Sequence, residues 1–444
     1  MNIFEFEEKY KIVLEKIEEW NYLRVKVAFE LKNKENVTYI KKQKTPFLQK
    51  IYNKINKIKQ MFYKFYNWFG KYEYIFFSDS MERKILNNVY FDKFSDRIIE
   101  KLDKATLLIE TPNPKHYKNT YTKNIVSMSL IDFFTFIVTI FKNYDGCQNL
   151  EDILKDYDIK LDIRKAIRYY NASYTIYSIL LKVYRPKIVF VNCYYCKEGL
   201  ITAAHDLNIK VVEIQHGVIS KMHFGYVSKI DLNEKYFPDT LLSFGEKEKV
   251  LSNLLIKNII PIGSFYIEHI RNTFKQDKNL VKKINNYYIS IGISMQDQEW
   301  ERKLIFDFIR SCANLNPNIL FIIIPRKRKD FPVFSPNVLV ETSLDCYNII
   351  LHCNIHMTLY SSCSLEAPSL GIPNILINSK HFAKDYYEQI LDTYHTLYIE
   401  EMSEFTKAVK ELLLLDSKEI INKNRSVFYP EYEKNILKFI RRLL

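Results

Sequence analysis

Short apolar runs rich in β-branched and aromatic residues alternate with charged, amphipathic stretches along most of the chain, beginning with Tyr74 to Ser78 (YIFFS). Runs that are apolar at consecutive positions suit strands buried on both faces of a parallel sheet. After YIFFS the spacing predicts a helix over Phe91 to Leu102 and a second strand over Ala105 to Glu110, stopped by Thr111-Pro112-Asn113-Pro114. A helical middle segment covers about 125–184. The pattern then repeats, with strands over 187–192 (KIVFVN), 210–214 (KVVEI), 240–244 (TLLSF) and 259–262, and helices over 197–207 and 246–256. Periodicity is lost among the charges of 271–286, which reads as a connection. Beyond it the pattern restarts, with strands at 287–291, 319–324, 338–340, 355–359 and 373–377 and helices at 299–314, 344–352, 364–370, 404–415 and 431–444. Strands alternating with helices make a parallel sheet covered on both faces.

The expected class is therefore α/β, with two successive doubly wound parallel-sheet domains facing a cleft. Residues 1–270 form the first, with a helical N-terminal extension to about Lys71; 271–286 link; 287–425 form the second; and 426–444 is a helix that can return across the junction. Within the extension, Ile51, Ile55, Ile58, Met61, Phe62 and Phe65 recur at helical spacing, which suits packing within the domain or, secondarily, a membrane or partner surface. The longest apolar run, Ser129 to Phe141, has 13 residues and contains Asp132, short of the ~20 needed to cross a bilayer.

Composition narrows the class. The 444 residues are 47% hydrophobic and 15% aromatic, enough for sizeable cores and against a disordered chain. Seven scattered cysteines and an acid-rich opening segment place the protein in a reducing cytoplasm, peripheral at the inner face of the membrane if membrane-associated. A net charge of +13 favours anionic partners, a phosphorylated substrate or an acidic lipid surface, and no nucleic-acid motif accompanies it.

Nine glycines occur in the chain, and seven lie between 199 and 371, several just after an expected strand. Ligands in open parallel sheets bind beyond the carboxyl ends of the strands, so these glycines are candidates for a crevice. One such loop, 213–226, carries Gln215, His216, Gly217 and His223. Imidazole titrates near neutrality, which makes His216 the leading general base for a sugar hydroxyl, with His223 more suited to fixing the loop. Asp79, in Ser78-Asp79-Ser80-Met81-Glu82, is the alternative base, and Glu82 a second carboxylate there. In the second half Tyr360-Ser361-Ser362-Cys363-Ser364-Leu365-Glu366 opens a helix. Its hydroxyls and free N–H groups suit an anion, Glu366 suits ribose hydroxyls, and either serine alone suits a helix cap. Cys193-x-x-Cys196 lacks a partner pair for zinc. No DxD metal motif stands in a suitable strand-end loop, and neither a phosphate-binding GxxxxGK[ST] loop nor a GxSxG elbow is present.

The Ile-Gln-His-Gly loop, together with Tyr-Ser-Ser-x-x-x-Glu-Ala-x-x-x-Gly-Ile-Pro at 360–373, resembles bacterial GT-B glycosyltransferases of surface-polysaccharide clusters, including the capsule and lipooligosaccharide sialyltransferase-like and Kdo-transferase-like groups. The resemblance covers about Tyr74 to Asn378. It implies two Rossmann-like domains, a CMP-, UDP- or GDP-linked sugar donor held by the C-terminal half, a glycan or lipid-linked acceptor held by the N-terminal half, and no cofactor or required metal. Ser361, Ser362 and Glu366 would then contact donor phosphate and ribose, Gly292 would let the donor approach the first strand end, and His216 would face the acceptor hydroxyl. Where many relatives carry Lys/Arg-x-His-Pro, this chain reads Pro325-Arg326-Lys327-Arg328. The histidine is absent, and Arg326, Lys327 or Arg328 are left to neutralise the phosphates. A teichoic-acid-type polyol-phosphate transferase and a catalytically silent nucleotide- or glycan-binding subunit stay open as alternatives.

Overall fold

The computed structural model describes residues 2–36, 55, 58–78, 83–102, 105–111, 119–144, 146–296, 299–326 and 331–443. The first sheet takes strands β1 (Tyr74–Ser78), β4 (Thr106–Glu110), β5 (Ile125–Ser127), β6 (Ile188–Val191), β7 (Lys210–Ile214), β8 (Thr240–Ser243) and β9 (Asn258–Pro261). Between β1 and β4 lies a small hairpin of β2 (Lys84–Leu86) and β3 (Val89–Phe91). The second sheet takes β10 (Ile289–Ser294), β11 (Ile319–Ile324), β12 (Val338–Val340), β13 (Ile355–Thr358), β14 (Asn374–Ile377) and β15 (Thr396–Ile399). Their spatial orders are β5-β4-β1-β6-β7-β8-β9 and β12-β11-β10-β13-β14-β15, and every pairing within the two large sheets is parallel. The architecture is thus two parallel-sheet α/β lobes, as the strand pattern implied. β1, β4, β11 and β13 are buried along their whole length, the burial that uniform apolar runs serve.

Counted within its own sheet, each lobe follows the order 3-2-1-4-5-6, with a seventh strand added to the first. In that order the connections leave in opposite directions on either side of one point, between β1 and β6 in the first sheet and between β10 and β13 in the second. In open parallel sheets such a point, beyond the strand ends, is where a ligand crevice forms.

One face of the first sheet carries the N-terminal helices Ile3–Leu14 and Trp20–Asn36 together with Ile163–Tyr184; Phe6, Trp20 and Leu23 pack in one cluster with Ile75, Phe77 and Val189. Its other face carries the last helix, Tyr432–Leu443, whose Ile436, Phe439 and Ile440 pack with Phe76, Phe190 and Leu242. The chain reaches that face through 426–429, where Glu246 N–H donates to the Ser426 carbonyl (2.7 Å) and Tyr429 N–H to the Phe244 carbonyl (2.7 Å).

Several expectations change. A Cβ at Gly245 would overlap the Ser426 and Val427 carbonyls, and one at Gly263, whose φ is +87°, the Tyr429 carbonyl. These two strand-end glycines admit the protein's own C-terminal segment, not a ligand. The expected helix 246–256 is only a 3-10 turn, Lys247–Val250, because Glu248 is drawn inward onto Gln215 and Leu254 bridges to Val227. Residues 91–102 split into β3 and a helix from Asp96 to Leu102, since Asn87 and Asn88 both take positive φ and close a tight hairpin. Within 271–286, Asp277 caps a helix, Lys278–Ile284, and Leu280 is buried with Leu320 and Ile322 of the second lobe. Among the described residues no helix is long and apolar enough to cross a membrane.

Candidate functional site

On the second lobe, the crevice is edged by the ends of β10 and β13 and by the helix Cys363–Ser369. Pro368 cannot donate the N–H that would bond the Ser364 carbonyl, and Asn374 Nδ2 donates to that carbonyl at 2.7 Å in its place. Asn374 also fixes a buried histidine. Because its Nδ2 is spent on donation, its Oδ1 accepts from His356 Nδ1 (2.8 Å), which leaves His356 Nε2 to accept from Ser294 Oγ (2.7 Å). Burial lowers the His356 pKa to about 4, so this set of bonds is neutral and ties the end of β10 to β13 and to the start of β14.

The two candidate serines separate. Ser361 is buried: its Oγ accepts from Cys363 N–H (3.2 Å), and its N–H and carbonyl both bond the Tyr387 hydroxyl. Ser362 is exposed and its hydroxyl makes no capping bond, so it is the serine presented to solvent at the strand end. Glu366 is 7% exposed; Oε1 accepts from the Tyr347 hydroxyl (2.8 Å), while Oε2 is buried with no hydrogen-bond partner among the described residues. Arg326 is exposed just past β11 and donates to Gln296 Oε1 (3.0 Å), which brings it beside the end of β10. Lys327 and Arg328 lie outside the described residues. Gly292 is placed differently from the expectation: it sits inside β10, which runs on to Ser294, and a Cβ there would press on Cys353 Sγ at 3.0 Å. Core packing, not donor approach, explains that glycine.

On the first lobe His216 follows β7 and lies with Nε2 3.3 Å from the hydroxyl of Tyr195, in the loop after β6. Gln215 is fully committed inside the protein, donating to the Gly217 carbonyl (2.9 Å) and Glu248 (2.8 Å) and accepting from Phe244 N–H (2.6 Å). It aims the loop and has no group left for an acceptor. Gly217 has open space around it, with nothing within 4 Å of a built Cβ. His223 accepts from Gly225 N–H (3.1 Å), and burial lowers its pKa to about 3, so it serves the loop as a neutral ring. Behind this loop, Arg24 of the second helix pairs with buried Glu7 (2.8 Å) and donates to the carbonyls of Phe224 and Val227. The N-terminal helices thereby hold the histidine loop in place.

Asp79 and Glu82 lie outside the described residues. At the end of β1 lies an internal polar network: Ser78 donates to Asp92 (2.5 Å) and accepts from Asn192 (3.0 Å), and Arg83 pairs with Glu110. Burial pushes Asp96 up to about 7 and Glu110 up to about 8.

The two lobes meet across the crevice at the elements that carry His216 and Ser362. Val218 packs against the apolar cluster that contains Cys363, Leu365 and Tyr387. Lys221 pairs with Glu388 (2.5 Å), Lys32 lies over the Tyr360 ring (5.8 Å), and Lys84 of β2 pairs with Asp345 (2.6 Å) above the Tyr347 ring (5.2 Å). Tyr347 thus joins Lys84 on one lobe to Glu366 on the other. Tyr195, Lys84 and Tyr347 escaped the sequence reading. Tyr195 had a signal, since it stands just beyond a strand end at the reversal point of the first sheet. Among the described residues no group of three or more His, Cys, Asp or Glu is placed to hold a metal ion.

No family model matches the chain, and no curated protein matches it in sequence. Its structure resembles UDP-GlcNAc 2-epimerase from Neisseria meningitidis bound to UDP-GlcNAc, with 13% identity over 83% of this chain and 98% of that one and a TM-score of 0.51. A glycotransferase of kitacinnamycin matches with 11% identity over 84% of this chain and 100% of that one (TM-score 0.51). The calicheamicin glycosyltransferase CalG4 matches with 12% identity over 84% and 99% (TM-score 0.50). These likenesses establish the fold: two α/β lobes in the GT-B-like arrangement that serves both epimerases and glycosyltransferases.

Proposed function

We propose that the protein is a glycosyltransferase that moves a sugar from a CMP-, UDP- or GDP-linked donor to a surface-polysaccharide or lipid-linked glycan acceptor, at the cytoplasmic face of the membrane and without a required metal ion. The observation that carries the reading is the placement of the His216 loop opposite the 360–366 segment, each just beyond strand ends and joined across the crevice by Val218 and Lys221. In this reading the acceptor hydroxyl loses its proton to His216, or to Asp79, as its oxygen bonds the anomeric carbon. The bond from that carbon to the phosphate oxygen breaks, and the nucleotide leaves with the electron pair. The Ser362 hydroxyl and the Arg326 guanidinium, with Lys327 and Arg328 next to it, meet the departing phosphates. Glu366 Oε2, buried and without a hydrogen-bond partner among the described residues, accepts from ribose hydroxyls once the donor is bound. The fold neighbours named for UDP-GlcNAc and for sugar transfer support a nucleotide-sugar ligand as a class.

The test is a thermal-shift panel of CMP, CDP, UDP and GDP, followed by product analysis with the matching nucleotide sugar. A ligand at 100 times its dissociation constant stabilises the fold by about 2.7 kcal/mol. His216→Ala should keep the nucleotide shift and lower the turnover by roughly 10²- to 10⁴-fold. A panel without any shift would remove the donor site. Epimerised donor without transfer, or product that retains the phosphate, would replace glycosyl transfer with epimerisation or polyol-phosphate transfer.

A further inference from the structure

We infer that Tyr195 is a second catalytic residue of sugar transfer, which relays the proton of the acceptor hydroxyl to His216. The inference rests on the transferase reading in its His216 form. His216 Nδ1 is buried, so Nε2 is the ring nitrogen that a bound sugar can reach. That nitrogen lies 3.3 Å from the Tyr195 hydroxyl. A base needs a lone pair, so in the ring form that can take a proton Nε2 carries no hydrogen, and the Tyr195 O–H donates to it. Tyr195 has a proton to give at neutral pH, because burial, reinforced by Cys193, raises its pKa above the ordinary 10. The lone pair that would attack the acceptor proton is therefore already engaged. What the pair still offers an acceptor is the phenol oxygen, which can accept one hydrogen bond while it donates another.

The relay moves two protons in one step. The acceptor O–H bond breaks as its oxygen bonds the anomeric carbon, and that proton goes to the Tyr195 oxygen. The Tyr195 proton passes to His216 Nε2, and the bond from the anomeric carbon to the phosphate oxygen breaks with its electron pair leaving on the nucleotide. Tyr195 ends as it began, His216 becomes an imidazolium, and no phenolate forms, so the raised pKa of the phenol is no obstacle. Such a step needs fixed distances, and the loop after β6 supplies them. The Tyr194 hydroxyl donates to the Gly225 carbonyl, and its N–H donates to Glu213 (3.3 Å). On the far side Lys197 donates its N–H to the Tyr194 carbonyl (2.9 Å) and its Nζ to the Cys193 carbonyl (2.8 Å). The Tyr195 ring itself meets Tyr226 edge-on, with centroids 6.2 Å apart and planes at 84°. A Cβ at Gly225 would come within 3.0 Å of Tyr195 Cδ1, so the missing side chain there makes room for the ring. His223, 6.0 Å from the same ring, is kept neutral by burial and adds no charge that would draw the proton elsewhere.

Tyr195→Phe removes the hydroxyl and keeps the ring, so the melting temperature and the nucleotide thermal shift should stay near the wild-type values. Its single-turnover rate should fall roughly 10²- to 10³-fold, with the KM for the donor little changed. Combined with His216→Ala it should cause no further loss, because a relay fails as a unit, whereas a separate structural role would add its own loss. Rates in mixtures of light and heavy water should follow a bowed curve for the wild type, the mark of two protons in flight. Nitrogen-15 spectra of the full-length protein with labelled histidine need no substrate. With His216 assigned by His216→Gln, Tyr195→Phe should move its Nε2 resonance to higher frequency, as that nitrogen loses its hydrogen-bond donor. Transfer by Tyr195→Phe at the wild-type rate, a straight line in the water mixtures, or an unmoved Nε2 resonance would overturn the relay and leave the transferase reading in place. Absence of transfer by the wild type with every nucleotide sugar would overturn both.

Discussion

Glu213 shows how a buried residue governs the crevice without entering it. It lies in β7, fully buried; Oε1 accepts from the Tyr226 hydroxyl (2.5 Å) and Tyr194 N–H (3.3 Å), and Oε2 has no partner among the described residues. Those two tyrosines frame the 215–226 loop, so the carboxyl clamps the segment that presents His216. Burial raises its pKa from the ordinary 4.5 to about 8, which keeps the folded form protonated while the unfolded chain ionises. Unfolding then releases a proton between those two values. The group's contribution to stability is fully present below about 4.5 and is lost as pH rises towards 8. Below about 6.5 the neutral rings of His356 and His223 oppose this trend, so the melting temperature should fall from about pH 6.5 to pH 8, with Asp96 and Glu110 adding to the slope because burial raises both. Glu213→Gln should flatten that slope and gain on the order of a few kcal/mol over the wild type at pH 8, with little difference at pH 5. Urea unfolding at the two pH values measures it; equal slopes for both proteins would show that the carboxyl is ionised in the fold.

Among the elements, the C-terminal crossover depends on glycines at the ends of β8 and β9. Gly263 has φ +87° and sits against the Tyr429 carbonyl, so Gly263→Ala adds backbone strain of about 1 kcal/mol and forces two backbones apart. The expected loss is at least about 2 kcal/mol in denaturant unfolding, with faster proteolysis near 426–430, since the helix Tyr432–Leu443 is then held less firmly. Proteolysis at the wild-type rate would mean that the crossover yields without cost. The central strands were legible in the amino-acid sequence because burial on both faces makes YIFFS or ILFIII apolar at every position. Short β5, the Asn87-Asn88 hairpin and β15 were not, since their register comes from neighbours and not from a local apolar run. The 246–256 segment carried helix-forming residues, but a long-range bond from Gln215 to Glu248 overrode them. At the site, the alternation of strands and helices already set His216 just after β7, and Ser362 and Glu366 at the start of the helix that follows β13. Tyr195, Lys84 and Tyr347 become visible only when the lobes meet, because each acts through a partner distant in sequence.

For the whole molecule, the question is what holds the two lobes together. Lys221–Glu388 is an ion pair with both side chains more than a third exposed, worth under about 1 kcal/mol and screened by salt. Lys84 is held better. It pairs with Asp345 at lower exposure and lies over the rings of Tyr347 (5.2 Å) and Tyr266 (5.7 Å), which adds cation–π attraction. Removing it should cost the closed arrangement about 1–3 kcal/mol, a roughly five- to hundredfold shift towards open forms. Lys84→Ala is therefore expected to enlarge the radius of gyration in small-angle scattering and to weaken nucleotide affinity, whereas Lys221→Ala should do neither measurably. Since Tyr347 also bonds Glu366, opening at Lys84 would be felt at the proposed ribose contact even though Lys84 belongs to the other lobe. An unchanged scattering profile for Lys84→Ala would assign closure to the 426–429 crossover, where backbone hydrogen bonds and the packing of Val427 and Phe428 against the second lobe already join the two halves.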